Sequence, residues 1–124
     1  PAPSKGPDDQ RVRDPLNPVD LSATPILVTS VYVQEPALAF AGIDFEMRLA
    51  GQSLEALRNG VVIATADLAP LLAGSGFLAA ADVTFSVDGT LYRLVPNRLT
   101  FRLDPASAAP GSIYALDGIL YREK

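Results

Sequence analysis

The chain has 124 residues, a net charge of −4 and 48 % hydrophobic residues, which suits one folded domain with a modest core. It contains no cysteine and no histidine, which excludes disulfides, thiolate metal sites and the usual histidine base or zinc ligand. No apolar run reaches the roughly 20 residues that a membrane-spanning helix needs. The N-terminus also lacks the apolar stretch of a secretory signal. We therefore expect no membrane partner.

Basic residues are too dispersed to form a nucleic-acid-binding face. Only Lys5 and Lys124 are lysines, and arginines such as Arg58 and Arg93 stand singly among carboxylates. Because neutralising phosphates requires a clustered basic surface, no sequence-specific nucleic-acid binding is predicted.

Residues 1–25 are predicted to form an extended, flexible N-terminal arm outside a single domain that spans residues 26–124. The arm holds six of the eleven prolines and charges of mixed sign. Two interpretations stay open, a flexible terminus or an arm that orders on a neighbouring subunit. The second would explain the spaced aliphatic residues, which are Val12, Leu16, Val19 and Leu21.

Two β-type segments follow the arm. The first, Ile26 to Gln34, is rich in β-branched residues and stops at Glu35-Pro36, where proline cannot donate a ladder hydrogen bond. In the second, Ile43 to Ala50, apolar and polar residues alternate with period two, which predicts a half-buried strand. Its apolar set is expected to face the core: Ile43, Phe45, Met47 and Leu49.

The segment Gly51 to Gly60 interrupts this strand pattern and is predicted to be a protruding loop. Ser53 is a candidate cap for one helical turn carrying Leu54 and Leu57. Those leucines either fold back onto the core, which we favour, or are offered outward.

A short strand, Val61 to Thr65, precedes a predicted brief helix or 3₁₀ turn over Ala66 to Ala73, with Thr65 as its N-cap. Three leucines of this turn are expected to plug one end of the fold: Leu68, Leu71 and Leu72. Gly74-Ser75-Gly76 and Ala79 to Ala81 then lead onward. Phe77 and Leu78 are expected to pack beneath the following hairpin.

That hairpin lies within Asp82 to Val95, where two β-type runs meet at Asp88-Gly89. A type I′ turn needs positive φ at both central residues, which glycine adopts freely and aspartate tolerates. A two-residue loop fixes a register in which the following pairs face the core: Val87 with Thr90, Phe85 with Tyr92, and Val83 with Leu94. The other face is mixed and open to partial cover by another layer. It carries Thr84, Ser86, Leu91, Arg93 and Val95.

After the hairpin, Pro96 to Arg98 is predicted to turn into a strand over Leu99 to Leu103. Asp104 to Gly111 should be an exposed loop, and Ser112 to Arg122 should close the sheet. Asp117-Gly118 marks either a glycine bulge, which we favour, or a second tight hairpin.

These elements predict an all-β fold, a small β-barrel or sandwich of about six to seven mostly antiparallel strands with one short helix. Catalytic chemistry is not visible. Asp88 and Asp117 precede glycines, where turn formation accounts for them, and serines stand without a histidine base. We predict a protein that is not an enzyme, with no catalytic residue, no cofactor and no metal ligand.

Four elements, in this order, span most of the chain from Ile26 onward. They are Val28–Pro36 ending in Tyr-Val-Gln-Glu-Pro, Val61–Leu68, the hairpin Val83–Val95 with Tyr92, and Ile113–Tyr121. Their order and spacing resemble the head–tail joining (head-closure, or stopper) proteins of tailed bacteriophages and gene transfer agents. The lead into the hairpin, Gly74 to Ala81, departs from the Gly-Asp that is usual in that family.

The resemblance implies a virion protein, made in the bacterial cytoplasm, that forms a ring with copies of itself between the portal-adaptor complex and the tail proteins. Such a ring closes the DNA-filled capsid, lets DNA pass and docks the tail. The candidate protein-interface residues lie in the predicted loop: Leu54, Glu55, Leu57 and Arg58. Deleting Gln52 to Asn59 is then expected to abolish joining while the monomer still folds.

Two other functions are compatible with the same sequence. One is another phage tail component, such as a tail terminator or a baseplate part. The other is a bacterial β-sandwich module that binds a small ligand or sugar, which predicts an apolar pocket with convergent polar groups.

Overall fold

Two β-sheets pack face to face in the computed structural model, which describes residues 8–14, 25–73, 77–78 and 82–123. Among these residues it has ten strands and one 3₁₀ turn, at Ala69–Leu72. The strands are β1 (Asp8–Arg13), β2 (Ile26–Gln34), β3 (Leu38–Ala39), β4 (Glu46–Ala50), β5 (Ser53–Arg58), β6 (Val61–Asp67), β7 (Phe77–Leu78), β8 (Val83–Val87), β9 (Thr90–Leu103) and β10 (Pro110–Arg122).

The larger sheet has six strands in the order β2-β10-β9-β1-β7, with β8 also paired to β9, and the smaller has the order β3-β4-β5-β6. All neighbours are antiparallel except β1 and β7. The prediction of an all-β, mostly antiparallel fold is confirmed, and of the two forms considered it is the sandwich. The strands outnumber the six to seven expected, because segments predicted as arm and loop also pair.

The hairpin between β8 and β9 forms as predicted. Asp88 and Gly89 have φ of 52° and 79°, as a type I′ turn requires. The cross-strand pairs also match the prediction, and they are Val87–Thr90, Phe85–Tyr92 and Val83–Leu94. Because Phe85 and Tyr92 are both buried, this side of the hairpin belongs to the core.

Three aromatic rings join the two sheets inside the sandwich. Phe45, directly before β4, meets Tyr92 edge-on at 5.2 Å and Phe85 at 6.2 Å between ring centroids. Phe85 and Tyr92 stack at 5.7 Å. Such pairs add to the stabilisation from burial itself, so the tight turn at Asp88 positions rings that hold the smaller sheet.

Other local predictions are confirmed in part. Strand β2 has the predicted bounds. The predicted strand Ile43 to Ala50 is shorter than expected, because β4 begins at Glu46, but Phe45, Met47 and Leu49 of its apolar set are buried. Residues 104–109 form an exposed loop. Strand β10 follows this loop as an inner strand between β2 and β9, so the prediction that it closes the sheet is wrong.

The predicted turn at Pro96 to Arg98 is wrong, because β9 runs without interruption through it. Opposite this point Asp117 pairs with Arg98 and Gly118 with Pro96, so Asn97 is the extra residue of a β-bulge. Strand β10 continues through Asp117-Gly118, so the alternative of a second hairpin is wrong. A bulge does lie at this point, but its extra residue is Asn97 on β9 and not the predicted glycine. A side chain at 118 would lie 2.6 Å from the Val95 carbonyl oxygen, which explains the glycine.

Part of the predicted N-terminal arm is a strand of the larger sheet. Residues Asp8–Arg13 form β1, which pairs with the second half of β9 inside the larger sheet. The prediction that residues 1–25 lie outside the domain is wrong for these six residues. Of the other predicted arm positions, Asp14 and Pro25 are described, whereas residues 1–7 and 15–24 lie outside the described residues.

The predicted loop Gly51 to Gly60 is also wrong. Tight turns occupy only its ends, and Ser53–Arg58 is β5, an inner strand of the smaller sheet between β4 and β6. Its alternation places Leu54 and Ala56 in the core cluster. The leucine pattern that fits one helical turn also fits a strand, and the flanking strands supply the hydrogen bonds that decide it.

The predicted short helix is a 3₁₀ turn. Thr65 is not its cap, because β6 continues to Asp67, whose Oδ1 accepts a hydrogen bond from the amide of Ala69 at 2.9 Å. The three leucines expected to plug the fold are buried, namely Leu68, Leu71 and Leu72. Leu78 is buried too, but Phe77 is 53 % exposed, so its predicted packing is wrong. Residues 74–76 and 79–81 lie outside the described residues.

The bulge gives a first prediction. Gly118→Ala should lower the free energy of unfolding by roughly 1–3 kcal/mol, because its Cβ would overlap backbone atoms that cannot move freely. Urea denaturation measures this. As a control, Ala106→Ser in the exposed loop before β10 should change stability by within about 0.5 kcal/mol. Equal effects of the two substitutions would contradict the close approach.

Candidate functional site

The four residues predicted to form a protein interface do not form one exposed patch. Leu54 and Leu57 are only 1 % and 2 % exposed, which confirms the favoured interpretation that these leucines pack onto the core. Their side chains are therefore not available to a partner in this fold. Glu55 and Arg58 point to the surface, and for these two the interface role stays a prediction.

Both charged members of that set bind neighbours within the chain. Glu55 on β5 forms an ion pair with Arg48 on β4, with 2.8 Å between Glu55 Oε1 and Arg48 Nε. Arg58 reaches Asp44 and Asp88, each at 2.9 Å. Hydrogen bonds to Asp88 and then to Asp44 raise the pKa of Arg58. Arg58 thus ties the turn between β8 and β9 to the segment before β4, a link between the two sheets.

A different surface stands out, the side of the larger sheet that faces away from the core, here called the outer face. Cross-strand partners point to the same side of a sheet, so the pairing register identifies its members. Six of the ten large apolar side chains exposed among the described residues lie on it: Val12, Leu27, Tyr32, Phe77, Leu91 and Ile119. Tyr32 and Phe77 are about half exposed, at 52 % and 53 %.

The sequence predicted only the part of the outer face that the β8–β9 hairpin contributes. Its mixed side was predicted to carry Leu91, Arg93 and Val95, and these do lie on the outer face. The contribution of Phe77 was missed, because its pairing with β1 brings together residues far apart in the chain. Alternation within β2 was the one signal that could have indicated Tyr32.

Arginines of β9 bind carboxylates across the outer face. Arg93 contacts Asp82 at 3.0 Å and Glu123 at 2.6 Å. Because these pairs join β9 to the segments just before β8 and after β10, they fix one end of the sheet.

A second polar group joins four strands at the opposite end of this face. Arg102 contacts Glu35 at 3.2 Å and lies 4.4 Å from the ring centre of Tyr114. Tyr114 in turn donates its hydroxyl hydrogen to Asp8 Oδ2 at 2.9 Å. Burial, followed by the hydrogen bond to Asp8, raises the pKa of Tyr114. The group holds the start of β1 against β9 and β10.

Two hollows occur near these groups. One, of about 460 Å³, opens on the outer face over the bulge and is lined by Arg13, Ser30, Val95, Asn97, Asp117, Gly118 and Ile119. The other, of about 510 Å³, lies at the end of the sandwich beside Asp44 and Asp88. Its carboxylates already bind Arg58, so they do not form a free acid–base pair.

Within the described ranges, no cluster of three or more histidine, cysteine, aspartate or glutamate side chains is placed to hold a metal ion. The same part of the chain has no helix long and apolar enough to cross a membrane. No protein-family model, no curated protein and no solved structure matches this chain.

The position of β5 reverses the expected result of one deletion. Removing Gln52 to Asn59 should now prevent folding, because it removes an inner strand and the buried Leu54 and Leu57. Far-UV circular dichroism and a thermal melt measure this. As a control, replacing the exposed loop Asp104 to Ala109 by a shorter glycine-containing turn should preserve a cooperative transition. A folded, cooperative Gln52–Asn59 deletion would contradict the assignment of β5.

Tyr114→Phe tests the network at the start of β1. Loss of the hydrogen bond to Asp8 should lower stability by about 1 kcal/mol and speed amide exchange in β1. Because the pKa of Tyr114 is raised, its stabilising contribution is present below the ordinary tyrosine pKa of about 10 and is lost as pH rises through the folded value. Tyr121→Phe serves as the control. Unchanged exchange in β1 after Tyr114→Phe would show that the network does not hold the strand.

Proposed function

We propose that this chain is a structural, non-catalytic virion subunit that forms a ring at the head–tail junction of a tailed phage or gene transfer agent. The ring closes the DNA-filled capsid and docks the tail. The assignment to the junction rests on the resemblance carried by the order of Val28–Pro36, Val61–Leu68, Val83–Val95 and Ile113–Tyr121. These segments make up most of β2, β6, the β8–β9 hairpin and β10.

The outer face carries the protein-binding part of this proposal. An antiparallel sheet with one open side usually presents polar residues to water. This one presents polar residues too, but interleaves them with the exposed Tyr32, Phe77, Leu27 and Ile119. Exposed aromatic and aliphatic side chains among arginines and carboxylates are common at protein–protein contacts. On this face, Arg98 and Asp117 lie between Val12 and Tyr32 in the same cross-strand row. The ion pairs of Arg93 and Arg102 lie toward the two ends of the sheet.

A rigid scaffold supports the same role. The long strands β9 and β10 pair over most of their length, and ion pairs fasten both ends of the sheet. A subunit that bears load in a particle needs a docking surface that keeps its shape when the partner binds. The polar networks at the sheet ends meet that need without offering an acid–base pair for catalysis.

The outer-face hollow favours a second candidate, a module that binds a small ligand. Arg13, Asn97 and Asp117 converge there beside the apolar Val95 and Ile119, which is the composition of many ligand sites. This candidate predicts a rise in melting temperature with a sugar or other small polar ligand. The virion subunit predicts none, and its gene should neighbour portal and capsid genes.

The junction role is tested in the phage or cell that encodes the chain. Removing the gene should yield DNA-filled heads and separate tails, visible by negative-stain electron microscopy, and the intact gene supplied in trans should restore joined particles. Normal infectious particles without the gene would refute the proposal.

Complementation by variants then tests the outer face. Tyr32→Lys combined with Phe77→Lys should fail to restore joined particles, because two charges would lie in the contact. Leu38→Lys is the matched control, since Leu38 is also an exposed apolar residue but lies on the smaller sheet. Both variants must first show wild-type melting. Full rescue by the outer-face variant would contradict the role of this face.

A further inference from the structure

The two most exposed large apolar side chains of the described residues lie on edge strands, one in each sheet. Leu27 is 63 % exposed and belongs to β2, the terminal strand of the larger sheet. Val61 is 62 % exposed and belongs to β6, the terminal strand of the smaller sheet. Neither is covered by the sandwich itself.

These two strands lie on opposite flanks of the molecule. In the larger sheet β2 is at one side and, past β10 and β9, β8 is at the other. Strand β6 lies beside β8 without pairing to it. One molecule therefore cannot bring β2 and β6 together, whereas two molecules side by side can.

Each of the two strands contains one β-bulge, at Val28 in β2 and at Ile63 in β6, but both edges lack the other features that normally prevent association. Charged side chains, proline and very short length protect natural edge strands. Strand β2 has nine residues, Ile-Leu-Val-Thr-Ser-Val-Tyr-Val-Gln, with no charge and no proline. Strand β6 is uncharged from Val61 to Ala66. Within the described part of the chain, β2 pairs only with β10 and β6 only with β5.

We propose that copies of this chain join head to tail, the free edge of β2 in one copy pairing with the free edge of β6 in the next. An exposed row of backbone donors and acceptors is best satisfied by another extended strand. Because both edges are uncharged, the pairing brings no like charges together. Such a contact uses two different surfaces, and repeated around an axis it closes into a ring. The inference deepens the proposed function and rests on it for the ring.

The absence of cysteine from the chain allows a direct test. Two double variants cover the two strand directions: Leu27→Cys with Val61→Cys for parallel pairing and Leu27→Cys with Thr65→Cys for antiparallel pairing. A short bis-maleimide reagent should link one of the two purified proteins into a ladder of dimers and larger species. Gel electrophoresis and mass spectrometry identify the linked peptides. Each single variant should stay monomeric, because in a head-to-tail contact two copies of the same strand do not meet.

A matched control measures how much cross-linking arises from random collisions between molecules. Leu38→Cys with Leu91→Cys places two thiols at exposed apolar positions of β3 and β9. Its linked fraction should be several-fold below that of the edge pair that links, with all variants melting like the wild type. If neither edge pair gives a ladder stronger than this control, the edge pairing is overturned. Efficient linking by either single variant also overturns it, since that result indicates a two-fold contact.

The outcome is separable from that of the gene-removal experiment. If particles need the gene but the edge thiols do not link, the junction role stands and the subunits contact each other elsewhere. If the edge thiols link but particles form normally without the gene, the chain assembles by its edges in some other structure.

Discussion

Backbone pairing along β9 is the constraint on which the rest of the structure depends. This one strand of 14 residues pairs with β10 over most of its length, with β8 at its start and with β1 at its end. Pro96 within it has no amide hydrogen, which is tolerated because the ladder is already displaced at the bulge. Gly118 allows β10 to approach that point closely. Without the bulge and glycine, β9 could not serve three neighbours.

The burial of aromatic rings on one side of β9 leaves its other side to interact with the surroundings. Tyr92 packs against Phe45 and Phe85 between the sheets. On the outer face, Arg93 and Arg102 bind carboxylates toward the two ends of the sheet, and exposed apolar side chains are interleaved with charged ones such as Arg98 and Asp117. The same alternation that builds the core therefore also places the apolar and charged side chains of the proposed contact surface.

The proposed role of this molecule is contact and not chemistry. Among the described residues, four of its eight arginines form ion pairs with carboxylates of the same chain, as Arg58 does with Asp44 and Asp88. The proposed outer-face contact and the proposed edge contact use different groups, side chains in one and backbone in the other. A subunit of a ring that also docks a tail needs two such separate surfaces.

The sequence by itself determined the features that depend on near neighbours. Asp88-Gly89 fixed a turn and hence a register, β-branched residues fixed β2, and Asp117-Gly118 indicated a bulge, because backbone φ preferences and period-two alternation act within a few residues. Only the tertiary structure decided that Asp8–Arg13 and Ser53–Arg58 are strands and that β9 continues past Pro96. Short segments such as these are marginal alone and fit a loop or a helical turn equally well. Hydrogen bonds from strands distant in sequence make them β, and the burial of Leu54 and the exposure of Phe77 follow from that pairing.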